Sequence, residues 1–450
     1  MISLSSRPYL FVDETLVARH DGTALRLHSP RRENVACVFD APWEGPDSNY
    51  CSVTTIGGGT SDPPYRLYYR GMSGGTDLQH EASCVAESED GITFRRRFAW
   101  QHYVGGSAAN NIIWLGERDV SHNMCPFWDP NPNAPADARF KAIGGVSRQG
   151  VHALASADGI RWRLLSEKPV MTEGDFDSLN VAFWDSVVGC YSAYIRQSRE
   201  GKRSIRRCRS ADFVHWTAPE WLDFGEGPLE HFYTNAIQPY PRDPALYLGF
   251  PMRFVPERTR HRSFGEPGVS DSVLIASRDG LRFPHRWREA FIRPGLDQRN
   301  WTHRNFITAP GLIATSPTEY SLYWVEHYAH HDCRLVRGVV RLDGFASLHA
   351  GWQGGEMTSV AVRLAGERVV LNVSTSAPGG ARVEVQDVSG RPIPGWTMEA
   401  CDEVFGDDIA RVVTWNGSPS LGRLRGEAVR LRFSLHDADV FSVACVGESD

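Results

Sequence analysis

Ser88-Glu89-Asp90-Gly91-Ile92-Thr93-Phe94 returns as Ser156-Ala157-Asp158-Gly159-Ile160-Arg161-Trp162, as Ser210-Ala211-Asp212-Phe213-Val214-His215-Trp216 and as Ser277-Arg278-Asp279-Gly280-Leu281-Arg282-Phe283. A worn fifth copy is Asp343-Gly344-Phe345. The pattern is that of a tight turn between strands. Aspartate accepts hydrogen bonds from the turn backbone, glycine supplies a positive φ, and the aromatic residue anchors the returning strand. The complete copies lie 68, 54 and 67 residues apart. One supersecondary unit of roughly 55 to 70 residues is therefore used repeatedly.

A second repeat runs out of phase with the first. An asparagine opens an apolar strand at Asn49-Tyr50-Cys51, Asn123-Met124-Cys125, Asn180-Val181-Ala182, Asn235-Ala236-Ile237 and Asn305-Phe306-Ile307. A further strand then ends near Tyr69-Arg70, Ile143-Gly144, Ile195-Arg196, Met252-Arg253 and Val325-Glu326. Each unit reads strand, strand, strand, aspartate turn, strand, which is a propeller blade. The expectation is an all-β chain with a five-bladed β-propeller over residues 1–350, one of the runs Tyr9–Val12 or Ala24–Leu27 pairing with the last blade to close the ring. After Gly351-Trp352-Gln353-Gly354-Gly355 the turn motif stops and strict alternation begins, as in Val360-Ala361-Val362-Arg363-Leu364 and Val429-Arg430-Leu431-Arg432-Phe433. Period-two runs every ten to fifteen residues predict a separate β-sandwich over 351–450.

Composition excludes several classes. The formal net charge is −6 with no basic stripe, which argues against nucleic acid as a partner. No apolar run approaches membrane-spanning length, and the first residues lack the pattern of a signal peptide. Nine cysteines without CxxC spacing, several inside strand patterns, fit a reduced cytoplasmic protein. Three lysines stand beside 45 arginines, a bias read as genomic. The sequence does not determine oligomeric state.

The runs Tyr9-Leu10-Phe11-Val12-Asp13, Phe176-Asp177-Ser178-Leu179-Asn180-Val181-Ala182-Phe183-Trp184-Asp185, Glu230-His231-Phe232-Tyr233-Thr234-Asn235 and Gly249-Phe250-Pro251-Met252-Arg253-Phe254 resemble a group of bacterial proteins described as glycosyl hydrolases. A propeller followed by a sandwich is also similar to the architecture of fructan- and arabinan-cleaving glycoside hydrolases. The resemblance implies a carbohydrate substrate. It does not carry catalytic residues over, because no W-M-N-D-P run stands in the first unit, no R-D-P in the second and no E-C pair in the third.

A site must instead be placed by geometry. Side chains just before the five asparagines, and just after the second strands, should converge on the propeller's central funnel. Glycoside cleavage needs two carboxyl groups there, one protonated and one ionised. Asp177, Glu230, Asp271 and Glu326 meet this rule, with Asp47 a weaker fifth. Apolar neighbours Pro228 and Leu229 suggest a raised pKa for Glu230, hence a general acid. Asp177 then serves as base or nucleophile, and Asp271 orients the sugar or tunes the acid. Glu326, between Trp324 and Tyr328 in the neighbourhood of His327, is a further acid. His122, Asn123, Asn180, His231, Asn235, Arg253, Trp301 and His327 supply the mixed polar and aromatic groups that bind sugars. Against these stand bland readings: each acid a turn former or a partner of its own blade's arginine, each asparagine a strand cap.

No metal motif is present, since His327-Tyr328-Ala329-His330-His331-Asp332-Cys333 lacks helical ligand spacing. No cofactor is expected, although a structural calcium in the central channel stays open. A carbohydrate-binding propeller without catalysis, a protein-binding scaffold and a glycoside phosphorylase are the competing functions. The last would place arginine and histidine around the reaction centre.

Overall fold

A computed structural model of the protein describes residues 1–73, 81–261 and 266–447. These are nearly all strand and turn, and their only helical elements are short 3-10 turns such as Glu117–His122 and Gln298–Asn300. No helix is long and apolar enough to cross a membrane. Two compact units result. One comprises residues 30–316 and 320–339, the other residues 1–29, 317–319 and 340–450.

The larger unit carries antiparallel sheets in chain succession. The first holds Asn49–Thr55, Tyr65–Met72 and Glu81–Ser88, followed by Arg95–Arg96 and Ile112–Leu115. The second is Cys125–Trp128, Phe140–Gly144, His152–Ser156 and Arg163–Leu164, and the third Val181–Asp185, Cys190–Arg199, Lys202–Ser210 and Glu220–Trp221. In the fourth, Gln238–Tyr240, Asp243–Gly249 and Ile275–Ser277 form one half, and His231–Phe232, Met252–Val255 and Val269–Ser272 the other. The break falls at Phe250-Pro251, where proline has no N–H to give the ladder. In the last sheet, Ile313–Ser316, Glu319–Glu326 and Arg334–Arg341 take Arg31–Val38 as their outer strand. Thus residues 31–38, and neither Tyr9–Val12 nor Ala24–Leu27, complete the last sheet. The two earlier runs pair in the smaller unit, with residues 442–443 and 346–350.

The turn motif behaves alike in all four complete copies. The serine hydroxyl donates to the aspartate at 3.0 Å, and that carboxylate accepts the next two backbone N–H groups after the glycine position. Gly91, Gly159 and Gly280 have φ of 70–71°, and Phe213 takes the same conformation at 70°. A phenylalanine is held there because its ring packs edge-on against Phe127, Tyr191 and Trp216. The fifth copy differs. Asp343 lies in the smaller unit, where its carboxylate accepts a hydrogen bond from Ser442 at 2.8 Å.

The turns also join one sheet to the next. Tyr323, Tyr68 and Tyr194, each on a second strand, donate to the carbonyls of Gly91, Gly159 and Gly280 in the following sheet. A Cβ on Gly159 would lie 2.5 Å from both the Tyr68 hydroxyl and Arg66 Nη1 and 2.9 Å from the Phe140 ring. Gly159→Ala is therefore expected to destabilise by about 2–3 kcal/mol, from positive φ plus the clash. Chemical denaturation checks this, and an unchanged midpoint would contradict it.

At the opposite ends, around the asparagines, hydrogen bonds connect each sheet to its neighbour. Ser52 donates to the Pro126 carbonyl, Asn123 to those of Phe176 and Ser178, Ser178 to Tyr233, Ser270 to Asn305, and Asn49 to Arg304. The last returns from the fifth sheet to the first. Buried side chains from neighbouring sheets, such as Val181, Phe232, Ile275 and Ile307, fill the space between.

The smaller unit is built on Ala428–Val446, a 19-residue strand that pairs with Arg368–Gln386 along most of its length. Its alternation buries Val429, Leu431, Phe433 and Leu435 against Val369, Leu371, Val383 and Val385. Residues 1–29 add strands to this same sheet system through 346–350 and 355–359.

Candidate functional site

The strand ends around the asparagines deliver a polar, aromatic cluster drawn from several sheets. Tyr50 follows Asn49 in the first sheet, and the Arg70 guanidinium lies 4.6 Å from its ring centre. Tyr233, just before Asn235, faces Arg196 at 5.0 Å, Arg203 at 5.1 Å and Arg304 at 5.9 Å. Arg304 also stands over Tyr328, at 5.9 Å, and donates to its hydroxyl at 3.4 Å. His122 packs edge-on to Tyr50 and donates from Nδ1 to Glu81 at 3.0 Å. Tyr50 and Arg304 both adopt positive φ, 51° and 58°. Such conformations cost energy in bulky residues and are held only where surrounding contacts demand them.

Asp177 belongs to this cluster. It accepts a hydrogen bond from the Ser147 hydroxyl. Burial would raise its pKa, but that bond and the charges of His122 and Arg196 hold the carboxyl below its ordinary value. His122 is lowered as well, by burial, against the opposing pull of Glu81. Burial likewise works to raise the Tyr233 phenol, yet Arg304, Arg196, a hydrogen bond from Tyr50 and Arg203 bring it below the ordinary tyrosine value. Tyr50 is driven well above that value, chiefly by burial and then by Tyr233. Asp47 reaches the same neighbourhood: its charge acts on Tyr328 and on His303, and its carbonyl accepts from Arg70 at 2.8 Å.

Glu230 sits elsewhere, in a different set of contacts. It accepts from His285 at 2.6 Å, Arg253 at 3.2 Å and Arg288 at 3.4 Å, and it lines a cleft of about 260 Å³ with Phe224, Pro228 and Leu229. The expected rise in its pKa is reversed. Burial does act upward, but the His285 hydrogen bond and the Arg253 charge outweigh it and lower the carboxyl. Asp271 grips the same arginine through two bonds, 2.9 and 2.6 Å. Glu326 is buried and bound by Arg32 at 3.0 and 3.1 Å, with Trp324 Nε1 at 3.0 Å, and it too is lowered, burial being outweighed by Arg32. Three of the four predicted acids are therefore partners of arginines in their own sheets.

The asparagines serve the backbone. Asn123 donates to the carbonyls of Gly145, Phe176 and Ser178 and accepts from the Gly145 N–H. Asn180 donates to Phe176 and Ser178 and accepts from the Arg196 N–H, and Asn235 bridges the Tyr194 carbonyl and the Ile237 N–H. His231 accepts from the Arg203 N–H at 3.2 Å, and Trp301 donates to the Gly295 carbonyl. His327 is fully buried, its two ring nitrogens each 2.9 Å from a carboxylate, Asp332 and Asp297. No group of three metal-binding side chains gathers among the described residues. All nine cysteines are free, eight of them buried, and burial pushes Cys37 and Cys125 up to about 12.

Tyr50, Tyr233, Arg203 and Arg304 escaped sequence reasoning. One signal was available: Arg70 and Arg196 recur at the same place on a second strand, and each stands over a tyrosine of the cluster.

No family model matches the chain, and no curated protein matches it. Solved structures similar to it include one described as a glycoside hydrolase, at 12% identity and TM-score 0.47, covering 70% of this chain and 92% of the other. Another comes from work on the GH130 family of mannoside phosphorylases, which contains glycoside hydrolases that target β-1,2 mannosidic linkages in Candida mannan, at 14% identity and TM-score 0.45, covering 70% and 94%. A third, the Bombyx mori GH32 β-fructofuranosidase, matches at 10% identity and TM-score 0.44, over 94% of both chains.

Proposed function

We propose that the chain is a glycoside-cleaving enzyme whose larger unit is a five-bladed propeller and whose smaller unit is a β-sandwich. The ring reading is supported by hydrogen bonds that lead from each sheet to the next and return from Arg304 to Asn49. One observation carries the functional reading. The first, third, fourth and fifth sheets, and the turn that leads into the second, each send side chains to one cluster around Tyr50 and Tyr233.

In this reading Asp177 and Asp47 replace the pair Asp177 and Glu230. Asp177, held ionised, takes the proton of an attacking water or attacks the anomeric carbon itself. Asp47 is assigned the acid role: in its protonated form it gives the proton to the departing glycosidic oxygen, so the sugar–oxygen bond breaks without a free alkoxide. Arg304, half-buried beside Tyr233 and Tyr328, supplies donors for sugar hydroxyls. Glu230 and Asp271 fix Arg253 from both sides, a structural task. The test is a screen of aryl glycosides and small oligosaccharides, followed by Asp177→Asn and Asp47→Asn on any substrate found. Full activity in both variants would overturn the assignment.

A further inference from the structure

Three arginines face one tyrosine ring, and their charges are poorly matched by carboxylates. Arg196 is more than nine-tenths buried, yet its Nη1 has no hydrogen-bond partner among the described residues; its Nε donates only to the Asp175 carbonyl, at 2.9 Å. Arg203 forms no ion pair among the described residues. Burial lowers its pKa, and the neighbouring charges of Arg196 and Arg304 lower it further. Arg304 alone has a carboxylate close by, the exposed Glu266 at 2.7 Å. Asp177 is the other acid near the group, and Ser147 already engages it.

Like charges this close repel, and a buried guanidinium N–H left unpaired is unfavourable. A neutral sugar hydroxyl can accept from the unpaired N–H but leaves the repulsion in place, because it brings no charge. An oxyanion relieves both. Guanidinium groups present forked donors that match the oxygens of carboxylate and phosphate alike. The Tyr233 ring attracts all three cations, which lie 5.0–5.9 Å from its centre.

We propose that Arg196, Arg203 and Arg304 form an oxyanion-binding subsite above Tyr233, taking the carboxylate of an acidic sugar or inorganic phosphate. This deepens the reading of the cluster as a glycoside site and rests on it. If the anion is part of the sugar, the substrate is a glycoside of a uronic acid. If it is free phosphate, its oxygen attacks the anomeric carbon in place of water. The carbon–oxygen bond then forms to phosphate, the glycosidic bond breaks, and the leaving oxygen takes the proton from Asp47.

Calorimetric titration of the full chain with sodium phosphate, sodium glucuronate and glucose decides the matter without needing turnover. Saturable binding of phosphate or glucuronate is expected, weakened about tenfold or more in Arg203→Gln. Arg203 is the variant of choice because it has no ion pair to lose; Arg304→Gln is the second, should Arg203→Gln fold poorly. Phosphate binding alone identifies phosphorolysis, and glucuronate binding alone identifies an acidic sugar. Absence of saturable binding of both anions up to tens of millimolar overturns the subsite, as does binding unchanged in both variants. Turnover of neutral glycosides in that case would leave the glycoside reading standing. Anion binding without turnover of any glycoside would sink that reading and keep the subsite.

Discussion

Asp177→Asn is expected to lower kcat on a cleaved glycoside by about 10²–10⁴-fold, the usual contribution of a positioned proton-transfer group. The amide keeps the size of the carboxylate, so the melting temperature should move by no more than about 2 °C. The pH profile gives a second check. The Asp177 carboxyl lies below its ordinary value of 3.8, because the Ser147 hydrogen bond and the His122 and Arg196 charges outweigh burial. A depressed carboxyl is ionised above its folded value and protonates only as pH falls through it. The acid limb of kcat/KM should therefore lie below the ordinary aspartate range, with no loss of activity between pH 7 and about 5 from this group. An acid limb near pH 6 would assign the base to another residue.

Glu230→Gln provides the contrast. The sequence marks Glu230 as the proton donor from its apolar neighbours Pro228 and Leu229. In the fold, His285 and Arg288, 55 and 58 positions downstream, reach it together with Arg253. A carboxyl so held cannot serve as proton donor, since those partners keep it ionised and it has no proton to give. Glu230→Gln is expected to keep kcat within a few fold. If instead it abolishes turnover as Asp177→Asn does, the pair Asp177 and Glu230 is restored.

The repeats were legible because their physics is local. Ser88 and Asp90, or Ser277 and Asp279, make their bonds within four residues, so motif and geometry coincide. The asparagines were legible as markers of strand ends, and what they mark is backbone capping, as the bonds of Asn123 and Asn180 make plain. The cluster was not legible, because Tyr50, Tyr233 and Arg304 are brought together only when distant sheets meet. The placement rule pointed to the strand ends from which this cluster is drawn. It could not tell which acids would meet an arginine of their own sheet, as Glu326 meets Arg32 across nearly the whole length of the larger unit. The role of residues 31–38 was hidden for a similar reason: an outer strand from the start of the chain pairs with residues some 300 positions later.

The largest effect on stability is expected at a lysine. Lys141 is one of three in a chain with 45 arginines, and it lies on the second strand of the second sheet, 4% exposed. Its ammonium donates to Asp129, which is wholly buried, and to the Ala138 carbonyl at 3.0 Å, with the Tyr191 ring centre 5.2 Å away. Asp129 also accepts the Tyr191 hydroxyl at 2.7 Å and the Asn131 N–H at 2.9 Å. Removing one partner leaves the other charged in a dry interior. Asp129→Ala is expected to cost about 3–5 kcal/mol, and Lys141→Met a similar amount, in denaturant unfolding of the full chain. Replacing both, with Asn for Asp129 and Met for Lys141, should recover most of that loss, because no unpaired charge remains. Lys141→Arg keeps the charge yet is expected to destabilise by about 1–3 kcal/mol, since a broad planar fork must enter a space shaped for a compact ammonium. If Lys141→Arg were neutral, the lysine would be an accident of codon usage. If it destabilises as expected, this position resisted the bias that turned nearly every other cation of the chain into arginine.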